Sequence, residues 1–161
     1  MDVRRRFQVT NFVLVAVAVT HALATWPLAD TAALFLGGMV LAFVLEAVTI
    51  RLGFLEHAVE PQLAGVPVTI VLVWPAVVYV SYRLALLVVP GTVPAAALAA
   101  LLATLGDVAT DPRGVRDGLW RYPPARLSKP RFYGVPWWNF VGWLVIVFLT
   151  ALFPELAGRV A

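Results

Sequence analysis

The sequence contains no cysteine and only two histidines in 161 residues. The absence of cysteine excludes disulfide bonds and thiolate chemistry, and it leaves the redox compartment of the protein undetermined. With so few histidines, a histidine-rich metal site is not expected, so no metal or other cofactor is predicted from the residues. Charged residues are also scarce, at 13% of the chain, whereas 61% of the residues are hydrophobic. A water-soluble domain could not cover that much apolar surface, so the expected solvent is a lipid bilayer.

The chain carries a formal net charge of +3 and has an isoelectric point near 9.8. In a soluble protein this balance would suggest a nucleic-acid partner. Here the basic residues lie in short segments between apolar runs, which is the pattern that sets orientation in a membrane. We therefore expect the protein to interact with the lipid bilayer and not with nucleic acid.

Five apolar runs approach or exceed the roughly 20 residues that a helix needs to cross a bilayer. The first is too long for the apolar region of a cleaved signal peptide, which predicts a retained helix. Pro112 disfavours helical geometry at Asp111 and predicts the end of the fourth run there. No internal repeat is apparent. The predicted fold class is an all-α membrane protein, a polytopic bundle of about five transmembrane helices in a single domain, residues 1–161. The predicted spans are residues 7–28, 31–50, 66–89, 93–110 and 137–153.

Lysine and arginine are concentrated in segments that five spans place on one side of the membrane, with Arg83 and Arg159 as exceptions. Such residues favour the cytoplasm, so we predict a multi-pass protein of the cell membrane with a cytoplasmic N-terminus. Half of the twelve basic residues lie between the fourth and fifth spans. They are Arg113, Arg116, Arg121, Arg126, Lys129 and Arg131.

This topology brings polar residues from three spans to the cytoplasmic side. Glu46, Asp107 and Asp111 are near the cytoplasmic ends of the second and fourth spans, and Asn139 is near the start of the fifth. Acids within a membrane are energetically costly, and they indicate a functional site by default.

Asp107 and Asp111 are four residues apart and share one face of the predicted helix. Two carboxylates this close do not both ionise easily. The expected result is a carboxylic acid that keeps its proton near neutral pH, and such a group is a proton donor.

Each of these polar residues also has a structural interpretation. The two aspartates could pair with Arg113 or Arg116, and Glu46 could pair with Arg51. Asn139 could only satisfy the start of the fifth span. These alternatives remain open at the level of the sequence.

The neighbouring residues are open to the same question. Trp137, Trp138 and Trp143 could form an aromatic belt at the membrane interface. Trp137 and Trp138 also begin a helix that faces the acid-bearing end of the fourth span, which places them near the candidate acids. His57 is expected to be exposed in a loop, and Gly37-Gly38 is interpreted as a site of close helix packing.

The most specific motifs of the chain resemble those of the integral-membrane carotenoid hydratase family, which includes the bisanhydrobacterioruberin hydratases and related terminal-end hydratases. The resemblance covers about Glu46 to Trp143, and this chain resembles a short member of the family with fewer spans. The motifs are Asp107…Asp111-Pro112, Trp120-Arg121-Tyr122 and Tyr133-Gly134-Val135-Pro136…Asn139-Phe140…Gly142-Trp143, with Leu45-Glu46-Ala47, Gly53-Phe54 and Gly65-Val66-Pro67…Trp74 upstream.

The resemblance implies addition of water to a terminal isopropylidene double bond of an acyclic carotenoid, without a redox cofactor. Such a reaction needs an acid that protonates the alkene to a tertiary carbocation, aromatic faces that stabilise the cation, and a carboxylate or amide that orients water. The candidate catalytic residues are Glu46, Asp107, Asp111 and Asn139. The candidate substrate-binding residues are Trp120, Tyr133, Trp137, Trp138 and Trp143. We hypothesise that Trp137 or Trp138 stabilises the cation that this reaction implies, because both begin the helix that faces the acids.

Two other classes of function stay open. The chain could be a non-catalytic membrane subunit or scaffold, in which the acids would be ion-paired and the tryptophans would form a belt. It could also be a small transporter, although no inverted repeat or pair of broken helices is apparent. Other enzymes of carotenoid biosynthesis and a second copy of the chain are the protein partners that we consider.

Overall fold

A computed structural model describes residues 1–124 and 129–160 of the chain. Of the basic residues counted above, Arg126 therefore lies outside the described residues. Within them, five candidate spans are long and apolar enough to cross a membrane, and this confirms the predicted polytopic all-α bundle. The helices are α1 (Val3–Thr25), α2 (Leu28–Arg51), α3 (Val68–Leu86), α4 (Thr92–Arg116), α5 (Trp137–Ala151) and the short α6 (Phe153–Val160).

The largest error in the predicted bounds concerns the end of α4. The prediction ended this helix at Asp111, but it continues through Pro112 to Arg116. Proline disfavours helical geometry at the residue before it. The cost is offset here because the Asp111 side chain accepts hydrogen bonds from three neighbouring residues, which fix it in place. At the other end of the chain, α1 begins earlier than predicted because the Asp2 side chain caps it, accepting from the Arg5 backbone N–H at 2.8 Å.

The connections that were predicted as loops contain short strands, each of two residues. Two pairs of them form hairpins, β2 with β3 and β5 with β6, and each hairpin leads directly into a helix. The remaining pair, β1 with β4, joins segments that are distant in sequence. The strands are β1 (Glu56–His57), β2 (Gln62–Leu63), β3 (Val66–Pro67), β4 (Trp120–Arg121), β5 (Arg131–Phe132) and β6 (Val135–Pro136).

The ends of α2 and α4 have the same local structure. In each, a glycine adopts a positive φ, 74° at Gly53 and 69° at Gly118. The next residue then donates its N–H back to the last turn, from Phe54 to the Thr49 carbonyl at 3.0 Å and from Leu119 to the Gly114 carbonyl at 2.9 Å. This is the Schellman type of helix termination, which requires a left-handed residue that glycine supplies without strain.

The two hairpins repeat each other in the same way. Both carry a turn residue and a glycine at positive φ, at 64–65 and at 133–134, followed by Val-Pro and then a helix. In both, the first helical N–H bonds back to a proline carbonyl, from Val68 to Pro61 at 3.0 Å and from Trp137 to Pro130 at 3.1 Å. The unit α2-β1-β2-β3-α3 is therefore repeated as α4-β4-β5-β6-α5. This corrects the sequence analysis, in which no internal repeat is apparent.

The two repeats meet at the β1–β4 ladder. The strands are antiparallel, with Glu56 opposite Arg121 and His57 opposite Trp120. The Arg121 guanidinium also donates to the Glu56 carboxylate, from Nε at 2.8 Å. An antiparallel ladder between two copies of one unit is what a local two-fold axis would produce. Because α2 and α4 end at this layer, and α3 and α5 begin near it, the acids of both helices lie at one end of the bundle.

Small residues let the helices approach one another closely. A Cβ added at Gly38 would lie 2.9 Å from the Pro75 Cβ, and one added at Gly37 would lie 2.7 Å from the Phe153 ring. The interpretation of Gly37-Gly38 as a packing site is therefore confirmed. The buried face of α4 is similarly small, with Ala95, Ala96, Ala99, Ala100 and Ala103. Helices in membranes associate largely through such close contacts.

Candidate functional site

The centre of the candidate site is an amide that joins two acids. The Asn139 side-chain nitrogen, in the first turn of α5, donates to Asp107 Oδ2 at 2.8 Å and to Asp111 Oδ2 at 2.9 Å. Both aspartates are on the same face of α4, one turn apart, as the sequence predicts. An amide NH₂ has two protons, so this geometry uses its full capacity to hold two carboxyl groups together.

Asp111 has further donors. The Trp120 indole N–H bonds to its Oδ1, and the Tyr122 hydroxyl donates to its Oδ2 at 2.7 Å. With Asn139, three donors therefore converge on a carboxylate that is 4% exposed. Neither aspartate has an arginine partner among the described ion pairs, in which Arg116 contacts Asp117. The described contacts thus favour a polar cluster over the simple ion pairs considered above.

Gly114 makes the approach of Trp120 possible. A Cβ at Gly114 would lie 2.0 Å from the Trp120 ring, far inside van der Waals contact, so no larger residue fits while the indole stays in place. The indole lies against α4 at this gap and reaches back to Asp111, one turn earlier.

Tyr122 lies in the connection after β4, outside the spans. Burial raises the pKa of the Tyr122 phenol well above its usual range, and the negative charge of Asp111 acts in the same direction. The phenol therefore stays protonated and serves as a hydrogen-bond donor to Asp111.

An acid paired with a histidine lies at the corresponding place in the first repeat. Glu46 Oε2 is 3.0 Å from His57 Nε2, and the two side chains are 8% and 3% exposed. His57 follows Glu46 by eleven residues, as Tyr122 follows Asp111. The expectation that His57 is exposed in a loop is therefore wrong. The β1–β4 ladder holds its backbone, and its ring lies against Trp120 with centroids 6.1 Å apart. The alternative pairing of Glu46 with Arg51 is not observed among the described ion pairs.

The Asp107–Asp111 pair and the Glu46–His57 pair line one cavity of about 330 Å³. Its polar end contains Glu46, His57 and the aspartates, and most of the other lining residues are apolar. Along α3 the lining residues are Ile70, Val73, Trp74, Val77 and Ser81, which follow one face of the helix. From α4, the lining includes Leu102, which is 37% exposed at the protein surface. The cavity thus leads from buried acids towards the outer surface of the helix bundle.

The structure brings six of the nine candidate residues together. They line the cavity and are Glu46, Asp107, Asp111, Trp120, Asn139 and Trp143.

The other three candidates do not line this cavity. Tyr133 is 79% exposed at the turn of the β5–β6 hairpin, and Trp137 is 43% exposed. Trp138 packs against the rings of Phe54 and Tyr122, with centroids 5.8 and 5.7 Å apart. Trp138 therefore supports the site through Tyr122, behind the cavity wall.

Sequence reasoning did not assign three residues that the structure places at the site. Tyr122 contacts Asp111 and His57 contacts Glu46, and Trp74 lines the cavity beside Trp143, with ring centroids 5.1 Å apart. The internal repeat is the signal that could have identified all three. His57 and Tyr122 occupy equivalent positions in the two repeats, and Trp74 is equivalent to the candidate Trp143. From α1, Phe7 also contributes, with its ring 5.6 Å from Trp120.

Comparison with known proteins gives two matches. A family described as "Carotenoid biosynthesis protein" matches residues 7–159. Bisanhydrobacterioruberin hydratase of Haloarcula japonica is 34% identical over 116 residues, which are 65% of this chain and 38% of that protein. The chain therefore spans well under half of the length of this relative. No solved structure matches the chain.

Proposed function

This chain belongs to the family of carotenoid biosynthesis proteins, and we propose that it adds water to a terminal carbon–carbon double bond of an acyclic carotenoid by acid catalysis. The observation that carries the proposal is the Asn139 amide, which holds Asp107 and Asp111 together at the polar end of an apolar cavity. The relative from Haloarcula japonica is named as a hydratase, which favours the same class of reaction.

The hydrogen bonds divide the two aspartates into different roles. Asp111 accepts from Trp120, Tyr122 and Asn139, and donors to a carboxylate favour its charged form. Asp107 accepts from Asn139 alone among the described hydrogen bonds. Two acids this close share a proton more readily than both ionise. We therefore assign the shared proton to Asp107 and the charge to Asp111.

The reaction proceeds in two steps. In the first, the π electrons of the terminal isopropylidene group take the proton from Asp107 and form a C–H bond at the CH carbon. This leaves a tertiary cation and an Asp107 carboxylate. In the second, a water oxygen bonds to the cationic carbon and the water gives up a proton. One proton is consumed and one is released, so the net change is the addition of one water.

The tryptophans of the cavity would stabilise the cation. Trp74, Trp120 and Trp143 all line the cavity. A cation over an aromatic face gains about 0.5–2 kcal/mol, with the larger values in sites shielded from water. Because the double bond itself carries no charge, this stabilisation acts on the cation and the transition state that leads to it, which is the condition for catalysis.

The cavity favours the end of a long molecule over its middle. Its volume of about 330 Å³ is at the lower end of the range for small-molecule pockets, and it suits a branched end group. The rest of a polyene would leave past Leu102 and Gly106, which line the cavity and are exposed on α4. A polyene that extends into the bilayer would present only its terminus to the acids.

The proposal is tested with the pigments of cells that make an acyclic carotenoid. Expression of this chain should yield a product heavier by one water, which is identified by chromatography and mass spectrometry. The double variant Asp107→Asn with Asp111→Asn, inserted at the same level, should yield none. If the parent chain produces no hydrated carotenoid from a range of acyclic substrates, and purified protein does not hydrate them either, the proposal is wrong.

A further inference from the structure

We infer that Glu46 and His57 form the water-binding half of the site, with His57 Nδ1 as the group that accepts the proton of the attacking water. The inference rests on the proposed hydration and extends it. It assigns a role to a histidine outside the motifs that carry the family resemblance, and it divides the reaction between the two repeats.

The first observation is a buried nitrogen without a partner. His57 Nε2 is 3.0 Å from the Glu46 carboxylate, whereas His57 Nδ1 is buried and has no hydrogen-bond partner among the described residues. The histidine side chain is 3% exposed and lines the cavity. A buried polar atom without a partner has lost its hydrogen bond to water and gained none in return, which is unfavourable. A ligand with an O–H group would supply the missing hydrogen bond, and water is the ligand that hydration requires.

The second observation comes from the repeat. Glu46 and His57 occupy the positions of Asp111 and Tyr122, with the same separation of eleven residues. The position of Asp107, however, is Ala42 in the first repeat, and this residue is fully buried. The first repeat therefore lacks the second acid, so it cannot share a proton between two carboxyl groups.

The position of Asn139 is also different in the first repeat, where it is Ile70. The first repeat thus has one acid and one imidazole, and the second has two acids joined by an amide. An imidazole beside a carboxylate is an arrangement that takes up a proton, because the carboxylate stabilises the imidazolium. The two halves of one scaffold are therefore suited to opposite proton transfers in the same cavity.

The tautomer follows from the contact to Glu46. When Nε2–H donates to the carboxylate, Nδ1 carries the lone pair. In the second step of hydration, a water that donates to Nδ1 bonds through its oxygen to the tertiary cation, and its proton passes to Nδ1. His57 becomes an imidazolium paired with Glu46. It then loses this proton to solvent, and Asp107 regains one, so that atoms and charge balance over the cycle.

If Asp107 protonates the alkene and His57 deprotonates the water, the two proton transfers can be measured separately. Without His57, Asp107 would still protonate the alkene, but water would capture the cation far more slowly. The cation would then give a proton back to the Asp107 carboxylate and return to an alkene. In D₂O this futile cycle would leave deuterium in the end group of the recovered carotenoid.

The experiment uses the purified chain in detergent, an acyclic carotenoid and D₂O. His57→Phe keeps a ring against Trp120 and removes both nitrogens. We expect its hydration rate to fall by about 100-fold, within the range for loss of a general base, while deuterium still enters the recovered substrate. Asp107→Asn should lose hydration and deuterium incorporation together. Glu46→Gln, which keeps the size of the side chain, should lower hydration less and also retain deuterium incorporation.

The matched control is His21→Phe, which changes the other histidine of the chain. His21 contacts the Tyr79 hydroxyl at 2.6 Å and does not line the cavity, so its variant should hydrate like the parent. If His57→Phe does not fold, the Glu46→Gln variant decides by the same two readouts. Parent-like hydration in the folded His57 or Glu46 variant overturns the inference and leaves the proposed function intact. Loss of deuterium incorporation equal to that of Asp107→Asn also overturns it, because His57 would then belong to the proton donor. A parent chain that neither hydrates nor incorporates deuterium overturns the proposed function itself.

Discussion

Trp74 and Trp143 occupy equivalent positions in the two repeats, and their ring centroids lie 5.1 Å apart at the wall of the cavity. The pair is formed because α3 and α5 begin at the same kind of hairpin and enter the bundle side by side. The two-fold relationship of the repeats therefore places two indole rings together at the cavity.

We predict that Trp143→Leu lowers the rate of hydration by about 2- to 30-fold, which corresponds to the 0.5–2 kcal/mol of a cation–aromatic contact. Trp143→Phe should retain most of the rate, because an aromatic face remains. Turnover of a supplied acyclic carotenoid by purified protein measures the difference, with thermal unfolding in detergent as the check on folding.

The control for this series is Trp137→Leu, which changes an indole that is 43% exposed and does not line the cavity. It should leave turnover unchanged. The hypothesis that Trp137 or Trp138 stabilises the cation would be supported by the opposite pattern, with a slow Trp137 or Trp138 variant and an unaffected Trp143 variant.

We predict that Gly114→Ala destabilises the protein by about 1–3 kcal/mol, the usual effect of overpacking. The added Cβ would lie 2.0 Å from the Trp120 ring, so the indole must move and its bond to Asp111 must break. Gly142→Ala is the matched control, because a Cβ there meets no atom within 4 Å. Thermal unfolding of the two variants in the same detergent measures the effect. Equal stability of the two variants would contradict the prediction and show that the Trp120 indole can adopt another conformation without loss.

We predict that Tyr122→Phe leaves the tyrosinate absorbance of the protein unchanged at every pH up to about 10, the ordinary pKa of a tyrosine. Burial and the charge of Asp111 raise the pKa of Tyr122 well above this value. The phenol therefore stays protonated over that range and contributes no tyrosinate signal to lose. A spectrophotometric titration of parent and variant makes the comparison. A tyrosinate signal below pH 10 that disappears in the variant would contradict the prediction.

The predicted topology can be tested by labelling single introduced cysteines, because the chain has no cysteine of its own. A cysteine at Lys129, which is exposed in the connection between α4 and α5, should react with a membrane-impermeant thiol reagent only after cells are opened. A cysteine at Val88, 73% exposed between α3 and α4, should react in intact cells. The reverse labelling pattern would place the polar end of the bundle outside the cytoplasm.

The sequence predicts the helices well because the signal for a span is strong. Some twenty apolar residues have few ways to satisfy their backbone in lipid other than a helix. The spacing of Asp107 and Asp111 on α4 follows from the same helical geometry. What composition and periodicity do not show is the continuation of α4 past Pro112. That depends on Trp120 and Tyr122, which return to Asp111 from a separate segment.

The repeat and His57 were missed for a related reason. The two repeats have few identical residues, mainly a glycine after the first helix of each repeat and the Gly-Val-Pro of each hairpin. Their equivalence is clear only when backbone angles and hydrogen bonds are compared. His57 lies in a polar segment that looks like a loop, and pairing with a strand more than sixty residues away is what buries it. Contacts between distant segments of this kind leave no periodic trace in a sequence.

The sharpest prediction separates Asp107 from Asp111. Asp107→Asn should fold with nearly the stability of the parent, because the new side-chain oxygen can still accept from Asn139. It should lose nearly all hydration, because an amide has no proton to give. Asp111→Asn should lose stability by about 1–3 kcal/mol, because an amide can accept from fewer of the three donors that meet there. Its hydration should fall less than that of Asp107→Asn, since Asp107 keeps its proton.

The measurements are turnover per folded protein and thermal unfolding, made on both variants in one detergent. If the aspartates only maintain the fold, the two variants should lose stability alike, and the protein that survives should hydrate at the parent rate. If Asp111→Asn is instead the variant that folds and is inactive, the roles of the two acids are exchanged, because Asp111 would then deliver the proton despite its three donors. Full hydration by both folded variants would remove the aspartates from the mechanism. The proton would then have to come from Glu46, the other acid that lines the cavity.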